Sequence, residues 1–347
     1  MNESTILVWG AGAMGGTLAA CLLRSGLDVV VIDNNAAHVK AIQDNGLQIS
    51  GPIDEFKVSI PALLPQELRG QYKTIFLCTK AVHTQAACQM LAPHLAPDGV
   101  VVSVQNGLNE LIISEMVGRQ RCIGCFVNFG ADILEPGHIH YGGRGAVVIG
   151  ELDGKRSERV LQLYSWLQIF EPNAVLTDNI FGYLWSKLVY GTLLFATATT
   201  NDSIVDVLAH PKYRTALIAL AREVVAVADA LQIRLEGFNG FDPLAFGNAA
   251  GGIEADIAAN KSMDDLVAFN RRSAKSHTGV WRDLAIHKRK TEVDYQLGAV
   301  VQEARKLQIA TPLTETIVHA IHAIEHGAAL DWSHLDVLLA KAQEERT

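Results

Sequence analysis

The first half of the chain alternates short apolar runs with amphipathic stretches of helical period. "TILVWGAG" (5–12) predicts a strand entering a glycine turn, and "MGGTLAACLLRSG" (14–26) a helix that Gly26 ends. "DVVVID" (28–33) predicts a strand, "AAHVKAIQDNG" (36–46) a helix, "KTIFLCTK" (73–80) a strand and "HTQAACQMLAPHL" (83–95) a helix. "GVVVSVQNG" (99–107) and "CIGCFVNFG" (122–130) follow as strands, and "GHIHYGGRGAVVIGEL" (137–152) reads as a hairpin closing the layer. Strands apolar throughout, separated by helices, predict a mainly parallel, doubly wound sheet covered on both faces.

After "AVLTDNI" (174–180) the pattern changes to helical periodicity alone. "YRTALIALAREVVAVADALQI" (213–233) and "EVDYQLGAVVQEARKL" (292–307) are long amphipathic helices, and "TPLTETIVHAIHAIEHG" (311–327) places Pro312 just inside a helix start, where proline is favoured. The expected organisation is an α/β domain over 1–178 and an all-α domain over 179–347. "EGFNGFDPLAFGNAAGG" (236–252) reads as a flexible loop.

The 347 residues are 49% hydrophobic and 19% charged, which is globular composition with room for two cores. A net charge of −8 favours neither nucleic acid nor an anionic membrane as partner. No uncharged apolar run reaches the roughly 18–20 residues of a membrane span. "MNESTILVWGAG" has no basic region before its strand, so no signal peptide is expected. Five cysteines without framework spacing point to a reducing cytoplasm. "CIGC" (122–125) is a CxxC by spelling, but on a strand its two thiols face opposite sides. The histidines lack carboxylate or cysteine company, and no metal site is expected.

Gly10-Ala11-Gly12-Ala13-Met14-Gly15 spells GxGxxG directly after the first strand and opens a helix. Gly10 permits the turn, Gly12 lets a pyrophosphate approach the backbone, and Gly15 lets helix and strand pack closely. The helix N-terminus offers amides and a positive dipole end to phosphate. Asp33 ends the second strand, where a carboxylate binds adenosine ribose hydroxyls and repels a 2′-phosphate. Asn34 and Asn35 bring no cation to hold such a phosphate, so NAD is favoured over NADP.

Three further polar residues stand out. Lys187 is the single charge in "LWSKLVYGTLLF" (184–195), and burying an unpaired ammonium is costly, so it either reaches solvent or does chemistry. Asn106 sits at an Asn-Gly turn ending a core strand, which turn formation alone would explain, yet ligands in such sheets lie beyond the carboxyl ends of strands. Glu292 opens an amphipathic helix, where a capping role is the bland alternative.

Taken in order, "GAGAMGG", "CTKA", "QNG", "LWSKL", "KRKTEVDYQLG" and "ATPLTETI" resemble the ketopantoate reductases (2-dehydropantoate 2-reductases) over the full length. The resemblance implies an N-terminal Rossmann domain and a helical C-terminal domain like that of 6-phosphogluconate dehydrogenase. It implies that Lys187 is the general acid, that Glu292 orients substrate and lysine, that Asn106 lies beside nicotinamide and substrate, and that Lys80 lies near the cofactor ribose. The implied reaction is hydride transfer between nicotinamide and C2 of a 2-oxo or 2-hydroxy acid. Desolvation tunes such a lysine toward neutral pH and Glu292 pulls the other way.

The chain departs from the family pattern at the substrate. Four and eight residues after the lysine the family usually carries asparagines, and here stand Gly191 and Phe195. The family's carboxylate-binding serine falls at Gly279, with Ser276 and Thr278 nearby, and one extra residue separates Asp283 from Glu292. A site that loses such donors loses discrimination for a hydroxylated substrate. The expectation is a 2-hydroxy/2-oxo acid bulkier or more apolar than ketopantoate, with Gly191 opening space and Phe195 lining it. Two alternatives remain: ketopantoate reduction with Thr192 or Ser276 as substitute donors, and a non-catalytic dinucleotide sensor. A homodimer is compatible with these features.

Overall fold

The computed structural model describes residues 5–247, 252–272 and 276–345, and among these the chain forms two compact units, one up to Ile180 and one from Phe181. In the first unit the main-sheet strands are β1 (Ile6–Trp9), β2 (Val29–Ile32), β5 (Ala62–Leu63), β6 (Tyr72–Leu77), β7 (Leu95–Ser103), β8 (Cys122–Val127), β11 (Val147–Glu151) and β12 (Val175–Leu176). A second sheet holds β3 (Leu47–Ser50), β4 (Phe56–Val58), β9 (Gly130–Glu135) and β10 (His138–Gly143). The helices are α1 (Ala13–Arg24), α2 (Ala36–Asn45), α3 (Thr84–Leu91), α4 (Asn109–Val117) and α5 (Glu158–Phe170).

The main sheet runs β5-β2-β1-β6-β7-β8-β11-β12. Its pairs are parallel except β11, which runs antiparallel to β8. All residues of β1, β2 and β8 are buried, so these strands show no alternation. β1 pairs with β2 on one side and β6 on the other, with Ile6 opposite both Val29 and Thr74. The strand order therefore reverses beside β1, and the carboxyl ends of β1 and β6 frame the crevice where doubly wound sheets bind ligands.

Residues 137–152 do not form one hairpin. β10 pairs antiparallel with β9 and parallel with β3, whereas β11 joins the main sheet beside β8. The chain changes sheets between β10 and β11, where a side chain on Gly145 would collide with the Asn128 carbonyl. The true hairpin partner, β9, is half or fully exposed and its Ile133 and Leu134 are adjacent, so no alternating apolar period announces it.

The second unit contains α6 (Ile180–Thr197), α7 (Ile204–Ala209), α8 (Arg214–Ala230), α9 (Gly252–Arg271), α10 (Gly279–Trp281), α11 (Val293–Lys306), α12 (Pro312–Glu325) and α13 (Ser333–Glu344). Pro312 occupies the first turn of α12, and Glu223 of α8 accepts hydrogen bonds from Leu313 N, Thr314 N and Thr314 Oγ1 at 2.7–2.8 Å. A carboxylate from another helix thus satisfies amides that a proline start leaves open. The described part of the 236–252 segment is packed: Phe238 and Phe241 form an isolated bridge, and Phe238, Phe241 and Phe246 are buried. Phe241 lies 5.4 Å from the Tyr190 ring of α6, and residues 248–251 of that segment are outside the described residues. No helix among the described residues is long and apolar enough to cross a membrane.

Candidate active site

The cofactor half is built in the first unit. Gly10 has φ +103°, and a Cβ there would stand 2.9 Å from the Cys78 carbonyl carbon at the end of β6. A Cβ on Gly15 would meet the Gly10 carbonyl and stand 2.7 Å from Cys78 Cβ. Gly12, the N-cap of α1, has no atom within 4 Å of its missing side chain. Two glycines are thus forced by packing, and the third leaves open backbone over a helix N-terminus without a side-chain cap. Such a loop fits a dinucleotide pyrophosphate.

The Asp33 carboxylate accepts from Ala11 N at 3.0 Å and Asn35 N at 2.9 Å. Each oxygen keeps a lone pair for a ribose hydroxyl, so Asp33 both latches the glycine loop and remains an acceptor. Asn34 is exposed, and Asn35 caps α2 through its side-chain oxygen. His38, buried, lies with Nε2 2.9 Å from Ala11 O, while Gly137 N donates to its Nδ1 at 3.0 Å. A ring nitrogen that accepts from an amide leaves the other to carry the proton, so Nε2 is the donor.

Lys80 and Asn106, both half-buried, stand on the turns after β6 and β7. A buried chain of side chains ties these turns together. Gln105 Nε2 donates to Thr79 O and Thr84 Oγ1, each at 2.8 Å. Thr84 Oγ1 donates to Asn109 Oδ1 at 2.9 Å, and Asn109 Nδ2 donates to Asn106 O at 2.6 Å. The Asn-Gly turn is therefore pinned from below.

The residues expected to do acid–base chemistry lie in the second unit. Over its middle turns α6 is buried except along a half-open stripe of Tyr183, Lys187, Gly191 and Leu194, spaced at helical intervals. Lys187 sits on that stripe between Leu184 and Leu188, which are 2% and 1% exposed. Gly191 follows one turn later, and the atom found within 4 Å of its missing side chain is Gln296 Oε1 of α11, at 3.6 Å. Phe195 does not line this space: it falls beside the stripe and is 1% exposed, an interior residue.

Glu292 is the N-cap of α11 by backbone, with φ −98° and ψ 21°, yet its side chain makes no capping hydrogen bond. Thr291 does that instead, its Oγ1 accepting from Val293 N at 3.2 Å. Glu325 Oε1 in turn accepts from Thr291 N and Oγ1 at 2.7 and 2.8 Å. The side chain of Glu292 therefore does not cap α11, and its backbone is held by the fixed Thr291 before it. Upstream, Arg282–Ile286 form a π turn, with His287 N donating to Arg282 O at 2.9 Å. A π turn holds one more residue than an α turn, which accommodates the extra residue between Asp283 and Glu292. The basic run 287–290 is exposed and lies outside any helix.

Ser276 is exposed, with Oγ 2.9 Å from His277 Nδ1. Thr278 is buried and caps α10, its Oγ1 accepting from Trp281 N at 3.0 Å. Thr192 is fully buried, and its hydroxyl has no hydrogen-bond partner.

The protein is an NAD(P)-dependent oxidoreductase acting on CH–OH groups, with a glycine turn that fits a dinucleotide in its first unit and with Lys187 and Glu292 in its second. Residues 6–154 match the family model described as ketopantoate reductase PanE/ApbA, and 179–325 match its C-terminal counterpart. The chain belongs to the ketopantoate reductase family. Among curated relatives, the 2-dehydropantoate 2-reductase of Streptococcus pyogenes serotype M1 is 26% identical over 321 residues, covering 92% of this chain and 97% of the relative. That of Pyrococcus abyssi is 28% identical over 310 residues, covering 89% and 93%. The fold is similar to a D-mandelate dehydrogenase solved with NADH and anilino(oxo)acetate, with TM-score 0.79, 24% identity, and 93% and 98% of the two chains covered. It is also similar to a PanE/ApbA family ketopantoate reductase from Ralstonia eutropha JMP134, with TM-score 0.77, 23% identity and 93% and 98% coverage.

Gly16, His38, Gln105, Gln296 and Glu325 escaped the reading of the sequence. A Cβ on Gly16 would stand 2.5 Å from Ile139 Cδ1 and 2.7 Å from Ala11 O. Only the doubled glycine in "GAMGG" hinted at this. The other four act on partners 21 or more positions away in sequence or through a neighbour's absent side chain, and carry no local signal.

Proposed function

We propose that this enzyme is an NAD-preferring dehydrogenase of a 2-hydroxy/2-oxo acid whose carbon substituent is bulkier or less polar than that of ketopantoate. The observation that supports the substrate reading is Gly191: the stripe that carries Lys187 has no side chain one turn further on, where the family usually places a hydrogen-bonding asparagine. Space without a donor suits volume better than a hydroxyl. The cofactor reading rests on Asp33, an anionic acceptor, and on the uncharged Asn34 and Asn35 after it.

When bound, the nicotinamide supplies or takes the hydride. Lys187 gives a proton to the C2 oxygen as an oxo acid is reduced, and takes it back in the reverse direction. Glu292 holds lysine and substrate in register, and Asn106 orients the reacting carbonyl. Ser276 and Thr278 stand by the substrate's carboxylate in this reading, and Lys80 by the ribose. The partner is a small anionic acid.

The deciding experiment is a panel of 2-oxo acids, aliphatic to aromatic and including ketopantoate, assayed by nicotinamide absorbance with NADH and NADPH in parallel. The reading requires a larger acid with NADH as the best pair. An aryl acid heads the panel because a fold relative was solved with anilino(oxo)acetate. The second reading, ketopantoate reduction, has in its favour the curated relatives that carry that name. Ketopantoate with NADPH as the best pair would establish it instead.

A further inference from the structure

The space beside Gly191 is not featureless. Gln296 Oε1 stands 3.6 Å from where the Gly191 Cβ would be, and no other atom outside the helix's own backbone among the described residues comes within 4 Å of that point. Gln296 is half-buried on α11, one turn after Glu292, and its backbone N donates to Glu292 O at 3.1 Å. Among the described residues its side-chain amide makes no hydrogen bond. Lys187 and Gly191 are one turn apart on α6, just as Glu292 and Gln296 are on α11. The acid–base pair thus has, one turn further along each helix, a missing side chain on one and an unspent amide on the other.

We infer that Gln296 is a specificity-determining residue: its side-chain amide reaches across the gap left by Gly191 and hydrogen-bonds the substrate's carbon substituent. The amide that the family carries on α6 is replaced here by one delivered from α11. The exchange changes what fits. An asparagine at residue 191 would occupy the space nearest the lysine, whereas a glutamine from the opposite helix leaves that space empty and closes its far side. The substrate class that matches is a 2-oxo or 2-hydroxy acid with a substituent large enough to fill the gap and a hydroxyl or other polar atom at its end. Such an atom pairs with the amide, and without it the amide is left buried and unpaired beneath the bound substrate.

This inference rests on the dehydrogenase reading and narrows its substrate. Its test uses matched 2-oxo acids with and without a terminal hydroxyl, such as 4-hydroxyphenylpyruvate and phenylpyruvate, with NADH and the full-length protein. The wild type favours the hydroxylated member by roughly tenfold in kcat/KM, the worth of one hydrogen bond to an otherwise unpaired amide. Gln296→Leu, which keeps the length and removes the hydrogen bonding, abolishes that preference through the hydroxylated member alone and leaves NADH affinity unchanged. Lys187→Ala loses turnover of both. An active wild type whose preference survives in Gln296→Leu, or that shows no preference, overturns the role of Gln296 and leaves the dehydrogenase reading standing. A wild type that turns over no member of the wider panel overturns both.

Discussion

His38 Nε2 lies 2.9 Å from the carbonyl oxygen of Ala11, the residue whose N–H is taken by Asp33 at 3.0 Å. The peptide units on either side of Ala11 are thereby held by side chains before any nucleotide arrives. A backbone that must present amides to a pyrophosphate loses less freedom on binding when it is already fixed.

His38→Leu removes the donor to that carbonyl. The NADH dissociation constant should rise roughly tenfold, about the net worth of one buried hydrogen bond, and kcat should change little. His38→Gln, whose amide nitrogen reaches a similar position, should recover most of the affinity. Fluorescence titration with NADH measures both, and equal affinity in the Leu variant and the wild type would remove His38 from this role.

The glycines of the loop should separate into two kinds. Gly12→Ala meets no atom within 4 Å, so its melting temperature should stay near wild type while NADH binding weakens strongly. Gly16→Ala would press on Ile139 Cδ1 at 2.5 Å and Ala11 O at 2.7 Å, and should cost about 1–3 kcal/mol of stability as overpacking does. Thermal denaturation and cofactor titration of the same two variants give the comparison.

Gln105→Leu would strip the Thr79 carbonyl and the Thr84 hydroxyl of their donor. The buried groups left unpaired should cost about 1–3 kcal/mol in denaturant unfolding. Because the same chain runs through Asn109 to the carbonyl of Asn106, kcat should fall further than NADH affinity. A variant as active as the wild type would show that the turn holds itself.

How much of this was legible in the sequence follows from where each signal resides. The mainly parallel sheet and the helical second half were readable because apolar runs and helical periods are local properties of the chain. The glycine turn was readable because its steric demands are met within a few residues: Gly10 and Gly15 both pack on Cys78, whose strand was itself predicted. The second sheet was not, since β9 is half or fully exposed and its large apolar residues, Ile133 and Leu134, are adjacent and do not alternate. Phe195 was misplaced because a spacing of eight names a helix face without saying how wide its open stripe is. Gln296 was invisible because its significance lies in what Gly191 lacks.

Glu110 gives a pH prediction. Burial pushes its carboxyl up to about 7 from an ordinary value of 4.5. Neither oxygen has a hydrogen-bond partner, and the nearby Ser103 hydroxyl, which opposes the shift, does not lie in bonding geometry. The folded state thus holds this proton more tightly than the unfolded chain. Its contribution to stability is full below pH 4.5 and is lost as pH rises through about 7. Glu110→Gln should flatten the decline in melting temperature between those values and be the more stable protein at pH 8. Parallel melting curves for the two proteins that fall together across this range would show that Glu110 is not the titrating group.

The π turn at Arg282–Ile286 gives the segment slack. A turn that wide can give up one residue by tightening to ordinary α geometry, and the shortening is absorbed before the chain reaches Thr291, which Glu325 holds in place. Chain length upstream of Glu292 and the phase of the helix that follows it are therefore decoupled. Insertions and deletions between Asp283 and Lys290 can accumulate as neutral drift while Glu292 keeps its bearing at the start of the helix, and alignments that count residues across this stretch will misjudge kinship there.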